Sequence, residues 1–151
     1  MPMPPLPPKN AKSVFSSIRG SHVGIRVPDF QVSKKWFVEK LDFRVLHEWP
    51  FADQHLAYLA PPNDDSFQVE LLGDGSPNPQ KKYADLSESL RDAGYHHFCL
   101  NVESVDETLA ELRRRGVTIV GEPFNFEAIS RRLGFISDPW GNIIEFAEVI
   151  S

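Results

Sequence analysis

His22-Val-Gly-Ile-Arg-Val27 returns seventy-five positions later as His97-Phe-Cys-Leu-Asn-Val102. Each copy alternates with period two. Val23, Ile25 and Val27 in the first, and Phe98, Leu100 and Val102 in the second, form an apolar face with the histidine opposite. That is the pattern of a half-buried strand with a polar face left for function. Glu70, in Phe67-Gln-Val-Glu-Leu-Leu72, and Glu145, in Asn142-Ile-Ile-Glu-Phe-Ala147, are also 75 residues apart, so the His-to-Glu interval is 48 in both halves. A fixed internal period marks a duplicated unit. Packing would repeat apolar identities; it does not ask for matched His and Glu on polar faces.

Outward from these strands the halves read alike. Asp29 is an N-cap, and Val32, Trp36, Phe37 and Leu41 recur at helical spacing over about 31–41. Strands follow at about 42–50, with Phe43, Val45, His47 and Trp49 sharing a face, then at 55–60 and 66–72, the last two joined by the turn Pro61-Pro-Asn-Asp-Asp65. In the second half Ser104-Val-Asp-Glu107 is a capping box, Val105, Leu109 and Leu112 form a buried stripe, and Gly116 ends the helix. Strands are expected at about 117–120, 129–137 and 142–149, with Asp138-Pro-Trp-Gly-Asn142 turning the chain between the last two. The fold class is α+β, with a β-α-β-β-β unit twice in tandem. Module 1 spans about 19–73 and module 2 about 95–151, within one domain. The linker of about 74–94 opens with loop residues and carries a short helix through Tyr83, Leu86 and Leu90. Residues 1–18, with five prolines in the first eight, are expected to form an extended, mobile arm.

With 151 residues and 41% hydrophobic content the chain can bury a core of its own. A net charge of −5 gives no electrostatic footprint for nucleic acid or anionic lipid, and Arg113-Arg114-Arg115 reads as a helix end complementing its dipole. The lone Cys99 excludes an intrachain disulfide and fits a reducing compartment, so a cytoplasmic location is expected. No stretch approaches the roughly 20 apolar residues of a membrane span, and the N-terminus lacks the apolar run of a signal peptide.

Strand alternation sets His22, Glu70, His97 and Glu145 opposite their aliphatic neighbours, on faces that could converge. Imidazole nitrogen and carboxylate oxygen suit one divalent ion (Ni, Co, Mn, Fe or Zn) and leave positions open for substrate or water. Further pocket candidates are Arg26, on the His22 face; His47 and Trp49; Cys99, expected to be a buried, inert thiol; and Arg131, which alternates with Arg132 so that only one points inward. His55 and Tyr58 could also line the site.

His22-Val-Gly-Ile-Arg-Val-Pro-Asp29, Val69-Glu-Leu-Leu72, Gly94-Tyr-His-His-Phe98 and Asp138-Pro-Trp-Gly-Asn-Ile-Ile-Glu145 together resemble the vicinal oxygen chelate superfamily of glyoxalases, bleomycin-resistance proteins and extradiol dioxygenases. The resemblance implies paired modules forming a curved mixed-sheet cup. It also implies His22, Glu70, His97 and Glu145 as metal ligands, and Glu145 or Glu70 as the group that moves a proton. A lyase or isomerase acting on a small oxygenated or thioester substrate is what the His2Glu2 set resembles, and a homodimer is implied by the family resemblance alone. An Fe²⁺ extradiol dioxygenase and a non-catalytic binding protein are the alternatives. The first is disfavoured because Phe124 to Ser137 contains no Tyr or His to act as an acid, the second because all four ligand positions hold competent residues.

Overall fold

Asp29 ends the first strand and starts the first helix, because its carboxylate accepts the amide of Val32 at 2.9 Å. In the computed structural model, which describes residues 4–150, β1 (His22–Arg26) leads into α1 (Phe30–Leu41), β2 (Arg44–Phe51), β3 (Gln54–Ala60) and β4 (Gln68–Asp74). A linker with the single turn α2 (Leu86–Ser89) precedes β5 (His97–Asn101), α3 (Val105–Arg114), β6 (Thr118–Phe126), β7 (Arg131–Ser137) and β8 (Ile143–Val149). The strand orders are β1-β4-β3-β2 and β5-β8-β7-β6, each with a parallel first pair and antiparallel pairs beyond. This is the duplicated β-α-β-β-β fold of the α+β class. The two sheets share no ladder among the described residues, so β1 and β5 both remain edge strands.

Three details depart from the sequence-based expectations. A bulge between Val45 and His47 pairs Val45 with Leu59 but His47 with Tyr58. Val45 and His47 therefore lie on opposite faces rather than sharing one, since one extra residue inverts every side chain after it. β6 runs on to Phe126 instead of stopping near residue 120, with Pro123 inside a stretch where the register slips between Gly121 and Phe124. The N-terminal arm is not extended throughout. Residues 11–17 coil into turns held by Ser16 N to Ser13 O and Ile18 N to Phe15 O, both 3.0 Å, and leave Val14, Phe15 and Ile18 exposed. Residues 1–3 of that arm, and residue 151, lie outside the described residues.

The core lies on the helix side of both sheets. Ile25, Val69, Leu71, Phe30 and Phe37 from module 1 are continuous with Phe98, Ile144, Phe146, Leu109 and Leu112 from module 2. Two glycines let the helices sit so low. A Cβ on Gly73 would stand 2.4 Å from the Phe30 Cβ, and one on Gly134 would stand 2.6 Å from Leu109 Cδ2. Polar ties join the modules across this layer. Trp140 Nε1 donates to Ser33 Oγ at 2.6 Å, and Arg115 reaches Asp42 at 2.8 Å. Among the described residues no helix is long and apolar enough to cross a membrane. With the helices on one face of each sheet, the opposite face is left to carry the polar residues.

Candidate metal centre

In module 1 the parallel register sets Gly24 against Glu70 and His22 against Gln68, so His22 and Glu70 share the face away from α1. Gly24 between them leaves the space open, and His22 Nε2 stands 3.4 Å from Glu70 Oε2. Tyr58 is the cross-strand partner of Glu70, with its ring 5.3 Å from that of His22. Trp49 packs 4.8 Å from Tyr58, and His47 stacks on Trp49 at 5.4 Å and 20°. The bulge in β2 is what turns His47 and Trp49 onto this face. The pair is therefore walled on one side by rings.

Module 2 repeats the arrangement. His97 Nε2 lies 2.9 Å from Glu145 Oε2, Cys99 is the β5 partner of Glu145, and Phe135 is its β7 partner. The Phe135 ring meets His97 edge-on at 5.6 Å, and Phe124 lies nearly parallel to Phe135 at 6.3 Å. Arg131 is on this face too. Arg132 points the other way, to Asp106 on α3. Arg131 has no carboxylate partner among the described residues, and its guanidinium donates only to the Ser130 carbonyl at 3.0 Å.

The two histidines differ in what lies behind them. His97 Nδ1 is 2.7 Å from His96 Nδ1, and His96 Nε2 is 2.9 Å from the hydroxyl of buried Ser89 on α2. Burial first, then the neighbouring His97, lower the pKa of His96 and favour its neutral ring. His22 has only Ser21 behind it, at 3.4 Å and exposed.

Several pocket expectations change. Arg26 is on the His22 face, but its guanidinium is spent on the carbonyls of Val27 at 2.8 Å, Leu72 at 2.7 Å and Asp74. It closes the end of the β1–β4 ladder and is not free for an anion. His55 faces α1 instead of the site, paired with Asp74 at 2.8 Å and packed near Phe30. Cys99 is exposed, not buried. Its thiol is nonetheless pushed up to about 12, first by desolvation against the sheet and then by Glu145, so it stays protonated at neutral pH. Sequence reasoning noticed the His96-His97 doublet but missed the role of Ser89, because the helix carrying it is one turn of linker with no periodicity to read.

The donor set suits a divalent ion. Ligand bonds of about 2.1 Å set neighbouring ligand atoms roughly 3 Å apart, which is the spacing of each Nε2–Oε2 pair. The four residues form two such pairs rather than one convergence. Among the described residues no group of three or more His, Cys, Asp or Glu is positioned to hold an ion. Of two cavities, one of about 820 Å³ lies at the junction of the modules and reaches Cys99, and one of about 290 Å³ lies under Ser89 and His96. Neither is lined by any of the four. Each module thus carries one His–Glu pair on an open face.

A model of the Glyoxalase/Bleomycin resistance protein/Dioxygenase superfamily matches residues 19–146. Mitochondrial methylmalonyl-CoA epimerase of Bos taurus is 24% identical over 141 residues, covering 91% of this chain and 78% of the epimerase. YwkD, an uncharacterized protein of Bacillus subtilis, is 27% identical over 119 residues, covering 78% of this chain and 87% of its own. The structure of trypanothione-dependent glyoxalase I from Leishmania major superposes with a TM-score of 0.64 at 28% identity, over 87% of each chain.

Proposed function

The chain belongs to the Glyoxalase/Bleomycin resistance protein/Dioxygenase superfamily, and from that premise we propose that it is a divalent-metal-dependent lyase or isomerase of the glyoxalase or epimerase type. Its substrate is a small oxygenated compound or thioester with an acidic hydrogen beside a carbonyl. The observation that carries this reading is the matched pair of His–Glu couples, His22 with Glu70 and His97 with Glu145, each on the sheet face away from its helix. When bound, the ion polarises a substrate oxygen and stabilises the negative charge that develops there.

The chain's own residues supply the rest. Glu145 is held close to His97 and retains a side-chain exposure of 13%, whereas Glu70 stands further from His22 and retains 18%. Glu70 is the looser carboxylate and takes the proton from the carbon; Glu145 anchors. Trp49 and Tyr58 shield one side of the site from water, and Arg131 offers a cation to an anionic substituent. The separateness of the two pairs within one chain supports a homodimer in which module 1 of one copy faces module 2 of the other. The unpaired Cys99 supports a cytoplasmic setting.

The test is proton exchange. In deuterated water, with a panel of acyl thioesters and hemithioacetals, the α-hydrogen should exchange in metal-loaded protein and stop on chelation. Exchange that persists unchanged after chelation contradicts the reading.

A further inference from the structure

The hydroxyl of Ser89 sits between two partners. It donates to the carbonyl of Leu86 at 2.7 Å, since a carbonyl can only accept, and its one hydrogen is then committed. Toward His96, 2.9 Å away, Ser89 Oγ must therefore act as acceptor, which places the hydrogen of the neutral His96 ring on Nε2. His96 Nδ1 is left with a lone pair. Facing it at 2.7 Å, His97 Nδ1 must be the donor. A hydrogen of His97 is thereby fixed on Nδ1, which makes Nε2, 2.9 Å from the carboxylate of Glu145, the nitrogen whose lone pair the neutral ring offers.

From this geometry we infer that Ser89 and His96 are positioning residues that hold His97 in the one neutral tautomer able to ligate a metal through Nε2. His97 is thereby ready to bind before the ion arrives, and the linker turn α2 is part of the metal site. The turn is itself anchored. Asp85 caps it by accepting the amide of Glu88 at 2.8 Å, and Glu88 reaches back to the amide of Ala84, also at 2.8 Å. Among the described residues module 1 has no equivalent. The residue at the place of His96 is Ser21, exposed and 3.4 Å from His22 Nδ1, and among the described residues its hydroxyl carries the relay no further. The halves are unequal: module 2 is pre-organised, and module 1 closes on the ion second. Hydrogen-bond partners behind a ligating histidine typically change metal affinity by about 10–100-fold.

Only the affinity part of this inference rests on the proposed metal function; the tautomer is a property of the metal-free chain. Protein labelled with 15N-histidine, read by long-range 1H–15N correlation at neutral pH without metal, should show His97 protonated on Nδ1. His96→Ala and Ser89→Ala should shift His97 toward the Nε2-protonated form. His96→Asn, whose amide oxygen takes the place of the Nδ1 acceptor, should restore it. In Co²⁺ titrations followed by visible absorption, His96→Ala should weaken binding by roughly 10–100-fold, His96→Asn should recover most of it, and Ser21→Ala should leave it unchanged. His97 protonated on Nε2 in the wild-type chain overturns the relay, as does a tautomer and affinity unmoved by both His96→Ala and Ser89→Ala. A wild-type chain that shows the Nδ1 tautomer but takes up no Co²⁺ upholds the relay and overturns the metal function.

Discussion

Cys99 separates exposure from reactivity. Its side chain is open to solvent, yet desolvation at the sheet and the nearby Glu145 raise the thiol to about 12. Because only the thiolate alkylates, iodoacetamide at pH 8 should label native Cys99 far more slowly than the unfolded chain; equal rates would contradict this environment. The glutamates should also part company. Glu145→Gln should lose metal, while Glu70→Gln should keep part of its metal affinity and lose proton exchange, a split read by metal analysis beside deuterium incorporation. The four ligand candidates could be picked out because chemistry-bearing residues recur where packing has no need of them. The fate of Arg26 could not, because what decides it is a set of carbonyls at a ladder end that no sequence pattern marks.

Strand and helix identities could be read from apolar periodicity and caps. The capping box was legible because Ser104 and Glu107 stand three apart, and Ser104 Oγ does accept the Glu107 amide at 3.2 Å. Ser104→Ala should cost about 1 kcal/mol in urea denaturation. Period-two reasoning failed in β2, where the bulge after Val45 re-aims His47 and Trp49 toward Tyr58. A bulge leaves no compositional trace in a strand that is mostly exposed on both faces. Low seating of α3 on β7 depends on Gly134, since an added Cβ would meet Leu109 at 2.6 Å and Val105 at 2.9 Å. Gly134→Ala should therefore destabilise by about 1–3 kcal/mol, and an unchanged urea midpoint would show that the helix can lift without cost.

The whole molecule is two modules fastened through their helix layers, with open faces carrying the two His–Glu pairs. Trp140→Phe keeps a smaller aromatic ring but deletes the hydrogen bond to Ser33 across the junction, and should cost at least about 1 kcal/mol. Glu111 braces Arg115, the other tie. Its carboxyl is lowered from 4.5 to about 2, first by Arg114 and then by Arg115. A carboxyl depressed on folding contributes stability above its ordinary value and loses it as pH falls through the folded one. The stability difference between wild type and Arg115→Gln should thus shrink from neutral pH toward pH 2. Duplication was legible from the 75-residue echo; the separation of the two His–Glu pairs was not, because it depends on how two edge strands sit in space. The most direct test is metal content of wild type, His22→Ala, His97→Ala and the two variants refolded together. One ion per chain in wild type, none in either variant and partial recovery on mixing is the predicted result; a full complement of metal retained by either variant alone would contradict a site built from both pairs.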